Sequence, residues 1–176
     1  MTTTSTLLRL TVGGLFVGRG LQKLTGSFGG PGLQGTEQMM EALELRPAAR
    51  TARAAAWTET AGGAALALGA ATPVAAAGLV STMVTAVRKV HAGKGPWVTE
   101  GGWEYNAVLV ATLAALADRP GRASVDGLVG RSRWGLGGAL FALVAGTAAS
   151  YALTSRTVQR AGTDATADGG SASTGS

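Results

Sequence analysis

Apolar runs of roughly helical length alternate with short polar or glycine-rich breaks along most of the chain. The first run, Leu7 to Leu24, is interrupted by Arg9, Arg19, Gln22 and Lys23. A signal peptide would carry its basic residues ahead of the apolar core. Here Arg9 lies inside the run and FGGPG follows, so a retained first span is expected. Ser27 to Gly35 reads as a loop. Thr36 is then placed to cap a short amphipathic helix, with Glu37 in its first turn and Met39, Met40, Leu43 and Leu45 largely on one face. Such a helix is expected at the membrane surface, ending at Arg46-Pro47 because the residue before proline disfavours helix.

The second run, Ala48 to Ala71, has Arg50 and Arg53 at its entry, Trp57 at interfacial level, and Glu59 as an anomaly before Gly62 and Gly63. Ala70-Ala71-Thr72-Pro73 predicts a tight turn, with Thr72 as N-cap and Pro73 as the first residue of a third span reaching Val90. Arg88, Lys89, His91 and Lys94 close that span before a second glycine-punctuated loop, Gly93 to Gly102. The fourth span opens at Trp103-Glu104-Tyr105 and runs to Ala117. Its uncharged part of 13 residues is short for a hydrocarbon core of ~30 Å, so Gly101 to Tyr105 is expected inside the bundle. Asp118 to Arg133 is a polar connection. Trp134 to Leu153 is a clean uncharged run of 20 residues, long enough to span alone. Arg156 and Arg160 follow it, and Thr163 to Ser176 has the composition of a disordered tail.

Composition agrees with this pattern. Hydrophobic residues are 46% of the 176 and charged residues 14%, against roughly 25% charged in an ordinary soluble domain. Gly contributes 28 residues, and small residues let membrane helices approach closely. The formal net charge of +5 does not imply nucleic acid, because the basic residues lie between apolar runs rather than along one soluble face. With no Cys and one His, the chain lacks the donors for a thiol redox centre or for a self-contained haem or zinc site. Five spans would put both glycine-rich loops and the C-terminus on one side. That side holds more Lys and Arg and is expected to be cytoplasmic.

Several motifs together resemble the DoxX family of membrane proteins. LLRLTVGGLFVGRGLQKLTGSFGGPGLQGT looks like the family's opening helix and glycine-proline loop. Glu59-Thr60-Ala61-Gly62-Gly63 is similar to its Glu-x-x-Gly-Gly, and His91 to a His after helix three. Gly101-Gly102-Trp103-Glu104-Tyr105 is similar to its Gly-Gly-Tyr-Glu-Tyr. Gly121-Arg122-Ala123-Ser124-Val125-Asp126 is similar to its Gly-Arg-x-Ser-x-Asp. Arg19 stands where the family commonly has His, and arginine does not deprotonate in this range. The resemblance implies an all-α membrane bundle with a four-helix core, to which this chain adds a fifth transmembrane helix. The expected layout is a core over 1–126, a connection and fifth helix over 127–155, and a polar tail over 156–176. For some relatives the resemblance also implies membership of membrane redox complexes that pass electrons to quinone.

Hairpin alternation gathers Arg19, Gln22, Lys23, Glu59, His91, Glu104 and Tyr105 at one end of the bundle. Two readings follow. In one they form an internal network, Arg19 or Lys23 neutralising Glu59, and Glu104 pairing with Arg88 or Lys89. In the other they form a pocket in which Arg19, Lys23 and His91 hold a quinone head group or an oxyanion. The expected function is a multi-pass cell-membrane protein acting as the embedded, quinone-facing subunit of an oxidoreductase complex. The alternative is a non-catalytic scaffold that recruits a partner. Lipid and partner oxidoreductase subunits are the expected neighbours, with no covalently bound cofactor and no nucleic acid.

Overall fold

The computed structural model describes residues 2–169, with side chains from 3 to 155. It contains α1 (Thr2–Thr25), α2 (Gly32–Ala42), α3 (Ala48–Leu68), α4 (Thr72–Ala86), α5 (Glu104–Asp118), α6 (Val125–Leu128) and α7 (Leu136–Gly169), with no strand among the described residues. A π-helical turn, Val87–His91, extends α4 without a break.

α4 is the hub. Its sequence, TPVAAAGLVSTMVTA, is apolar on nearly every side, which is the pattern of a helix surrounded by others. α3, α5 and α7 all pack against it. Val12 and Phe16 of α1, Leu66 of α3, Leu79, Val80 and Met83 of α4, Leu109, Leu113 and Leu116 of α5, and Ala142 of α7 form one continuous core. α1 lies antiparallel on α3, where Gly13 and Gly63 let the backbones touch. A β-carbon on Gly13 would sit 2.6 Å from the Gly63 carbonyl oxygen. The added helix α7 runs parallel to α4. Gly146 packs against Ala77 and Val80, and the Thr85 and Ser150 hydroxyls are 2.8 Å apart.

The pattern of alternating helices matches the sequence reading, but several boundaries differ. α2 begins at Gly32, a turn before Thr36, because Pro31 directly precedes the helix and starts it early. Thr36 is therefore buried within α2, its hydroxyl donating to the Gly32 carbonyl at 2.7 Å, and caps nothing. α2 is also not a free surface helix. Met40 and Leu45 pack with Ala48 and Ala52 in a second small core, while Met39 stays exposed.

At the α3–α4 turn, Ala71 rather than Thr72 occupies the cap position. In the opening of α5, Gly102 and Asn106 are buried but Trp103 and Tyr105 are exposed, so only part of that stretch enters the bundle. The fifth helix runs on to Gly169, into the segment whose composition predicts disorder; residues 170–176 of that tail lie outside the described residues. Among the described residues one stretch, Leu136–Ser155, is long and apolar enough by itself to cross a membrane. α1 and α3 carry internal charges, and α4 and α5 are 15 residues each.

Candidate functional site

The polar residues singled out in the sequence fall into separate local arrangements at the end of the bundle where α1 finishes. Lys23, near the end of α1, reaches across to Glu59 on α3 and pairs with it at 2.5 Å. Glu59 is 1% exposed, so its charge is compensated inside the helix pair. Arg19, one turn before Lys23, is half-buried and has no ion pair or hydrogen bond among the described residues. Gln22 packs against Gly30 of the first loop, where a β-carbon would lie 2.5 Å from its own.

His91 and Glu104 serve the second loop. The His91 Nδ1 donates to the Gly101 carbonyl at 2.5 Å, which places a proton on Nδ1 since a carbonyl only accepts. The Glu104 carboxylate accepts the Val98 backbone N–H at 2.9 Å. That contact displaces the expected pairing of Glu104 with Arg88 or Lys89. Arg88 instead turns toward α7, donating to the Thr154 hydroxyl at 2.8 Å and lying 3.6 Å from the centre of the Tyr151 ring. The reason is helical phase: Arg88 is three residues after Thr85, which contacts Ser150, and so continues the stripe of α4 that faces the neighbouring parallel helix. Tyr105 is exposed. Trp57, Trp97 and Trp103 are also exposed, on three separate segments.

The opposite end holds a polar cluster that the sequence reading did not single out. Arg9 is 1% exposed. Its guanidinium donates to the Ala67 carbonyl at the end of α3 and to the Ala123 carbonyl in the connection between α5 and α7. Beside it, Asp126 of α6 accepts the backbone N–H groups of Ala71 and Thr72 at 2.8 and 2.9 Å, the Thr72 hydroxyl at 2.7 Å and the Trp134 indole N–H at 3.1 Å. Asp126 is thus the N-terminal cap of α4, delivered from 54 residues downstream. Thr72, expected to accept as a cap, donates instead. Burial alone would raise the Asp126 pKa; the hydrogen bonds from Thr72, Trp134 and Ala71 outweigh it and hold the carboxyl below its ordinary value. Ser124 caps the short α6 itself, accepting from Gly127 N at 2.9 Å. Two signals for this cluster were present in the sequence: Arg9, a charge inside an apolar run with no local partner, and the Gly121–Asp126 motif that carries Ala123, Ser124 and Asp126.

The fold defines an all-α bundle in which buried charges are matched across helices and large apolar side chains face outward. A family model for DoxX matches residues 4–92, half of the chain, and the chain belongs to the DoxX family. The family is one of membrane proteins, so this is a helical membrane protein. The matched stretch contains Arg9, Lys23, Glu59 and His91, while the Glu104 and Asp126 motifs lie beyond it. Comparison with curated proteins and with solved structures gives no match.

Proposed function

We propose that the chain is a multi-pass protein of the cell membrane, crossing with α1, α3, α4, α5 and α7, and that it acts as a non-catalytic embedded scaffold for a partner. The observation that carries this reading is the outer surface. Leu10 and Leu15 on α1, Leu68 on α3, Val74 on α4, Val108 on α5, and Phe141, Val144 and Leu153 on α7 are all exposed. Exposed apolar side chains on every one of these helices suit lipid and would drive a water-soluble domain to associate. Scaffolding is favoured because the polar residues at the α1 end are engaged within the chain: Lys23 with Glu59, His91 with Gly101, and Glu104 with Val98. Neither of two cavities, one at the α3–α4 hairpin and one between the end of α4 and α7, is lined by Lys23, Glu59, His91 or Glu104.

A second reading, the quinone-facing subunit of an oxidoreductase complex, is favoured by Arg19. It is a half-buried cation without a partner among the described residues, one turn from the Lys23–Glu59 pair. A quinone oxygen could accept from it, with electrons supplied by a partner, because the chain has no Cys and its one His is bound to a backbone carbonyl. Affinity isolation from native membranes separates the two. A co-purifying partner that persists with Arg19→Ala supports scaffolding. Co-extracted quinone that disappears with Arg19→Ala supports the redox assembly and removes the scaffold reading.

A further inference from the structure

The π-helical turn Val87–His91 and the middle of α7 flank an open cleft of about 290 Å³, lined by Arg88, Lys89, Tyr151, Ala152, Thr154 and Ser155. We propose that this is a binding site for the phosphate of an anionic phospholipid headgroup. The inference rests on the multi-pass membrane reading; the cavity lies at the same end of the bundle as the Lys23–Glu59 pair, but between α4 and α7 rather than between α1 and α3.

The chemistry is that of a phosphate site. Arg88 is held by two contacts, the Thr154 hydroxyl at 2.8 Å and the Tyr151 ring face at 3.6 Å. Together these fix its long side chain while using one of its five N–H donors, leaving the others for an acceptor. A guanidinium already immobilised against an aromatic ring loses little further freedom on binding. Lys89, adjacent on the same turn, has no ion pair or hydrogen bond among the described residues. The Ser155 hydroxyl also lies on the cavity wall, its proton donated to the Ala152 carbonyl at 3.3 Å, so Arg88 and Lys89 are the cavity's charged donors. Among its described lining residues the charged groups are the cations Arg88 and Lys89. Structural pairing accounts for Arg88 and Thr154 but not for Lys89 beside them, nor for the space between the helices.

Position points to a lipid as the source of the phosphate. The cavity lies at the end of α4, beside the exposed apolar side chains of Val90, Tyr151 and Leu153. In the five-span arrangement this is headgroup level on the side richer in Lys and Arg, where anionic lipid is attracted. π-helical turns within α-helices are often associated with ligand sites. The site also depends on α7, which supplies Tyr151, Thr154 and Ser155 from outside the stretch matched by the family model. It is therefore a property of this chain's fifth helix.

The test reconstitutes the full chain into nanodiscs of phosphatidylcholine alone or mixed with phosphatidylglycerol, and counts retained lipid by native mass spectrometry after mild extraction. Wild type is expected to retain phosphatidylglycerol in preference to phosphatidylcholine. Lys89→Gln and Arg88→Gln should each reduce that preference by about tenfold, the loss of one charge-assisted contact. Lys89→Gln keeps the test decisive even where Arg88→Gln loosens α7, because Lys89 makes no internal contact of this kind. Equal retention of both lipids by wild type, or unchanged preference in Lys89→Gln and Arg88→Gln together, overturns the site. Inorganic phosphate binding in phosphatidylcholine discs without lipid preference overturns the lipid as source. Alkaline carbonate washing of native membranes keeps the two failures apart. Release of the chain removes the membrane-spanning reading, whereas a retained chain without lipid preference removes only this site.

Discussion

The guanidinium of Arg9 occupies the space where a β-carbon on Gly69 would have to lie, 2.1 Å from its Nη1. Gly69 also has φ +65°, as the left-handed residue that ends α3. Any side chain there is opposed three times, by backbone conformation, by the buried arginine and by the Ser124 β-carbon at 2.5 Å. Gly69→Ala should therefore destabilise the folded chain in detergent by more than the ~1–2 kcal/mol expected for a left-handed non-glycine residue alone. Adding Arg9→Ala to Gly69→Ala should leave a double variant less damaged than the sum of the two, as measured in a double-mutant cycle of thermal unfolding. Strict additivity would show that the two residues do not meet.

Lys23 and Glu59 form the one ion pair joining α1 to α3 among the described residues. Glu59→Ala leaves Lys23 without its counter-charge and should cost ~3–5 kcal/mol. Replacing both, Lys23→Met with Glu59→Met, should recover most of that loss, since apolar side chains of similar volume can substitute for a buried pair. Thermal unfolding in detergent measures both; a double variant as weak as the single one would contradict a purely structural role.

Asp126 makes stability pH-dependent with a definite sign. Its folded pKa lies below the ordinary value of 3.8. The carboxylate's contribution is then complete above that unfolded value and is lost as pH falls through the lower folded one. Unfolding followed from pH 7 down to pH 2 should show stability declining below ~4. Asp126→Asn should lower stability at neutral pH by at least ~1 kcal/mol through loss of the α4 cap, and should flatten this part of the acid decline. An unchanged acid slope in Asp126→Asn would assign the decline to other carboxylates.

The parallel packing of α7 on α4 can be trapped directly, because the chain contains no native Cys. Thr85→Cys with Ser150→Cys replaces two hydroxyls 2.8 Å apart and should form an intramolecular disulfide on mild oxidation. Gly146→Leu should suppress that cross-link. Even a β-carbon at Gly146 would lie 2.6 Å from the Ala77 carbonyl oxygen, so the helix must move away. A cross-link formed equally well in the Gly146→Leu background would place α7 elsewhere.

The alternation of helices, the α3–α4 hairpin, the clean run of α7 and the meeting of Lys23 with Glu59 were legible in the sequence. Each follows from local rules: apolar length, turn residues, and two odd charges in apolar runs brought level by one hairpin. The fate of the wider polar set was not legible. Glu104 bonds to Val98, six residues away, and His91 to Gly101, ten away, while Arg88 follows Thr85 on the stripe of α4 that faces α7. Residue type and end of bundle could bring these groups into one neighbourhood, but hydrogen-bond direction and helical phase decided their partners.

What the sequence determined by itself is the all-α membrane class and the DoxX membership, because apolar run length and ordered short motifs are properties of the chain. Only the tertiary structure decided that the first residue of α4 is capped by Asp126 from 54 positions downstream and that Arg9 is buried against Ala67, Ala123 and Gly69. These contacts join segments far apart in sequence. A buried charge must find acceptors wherever packing supplies them, and no local pattern encodes which segment that is.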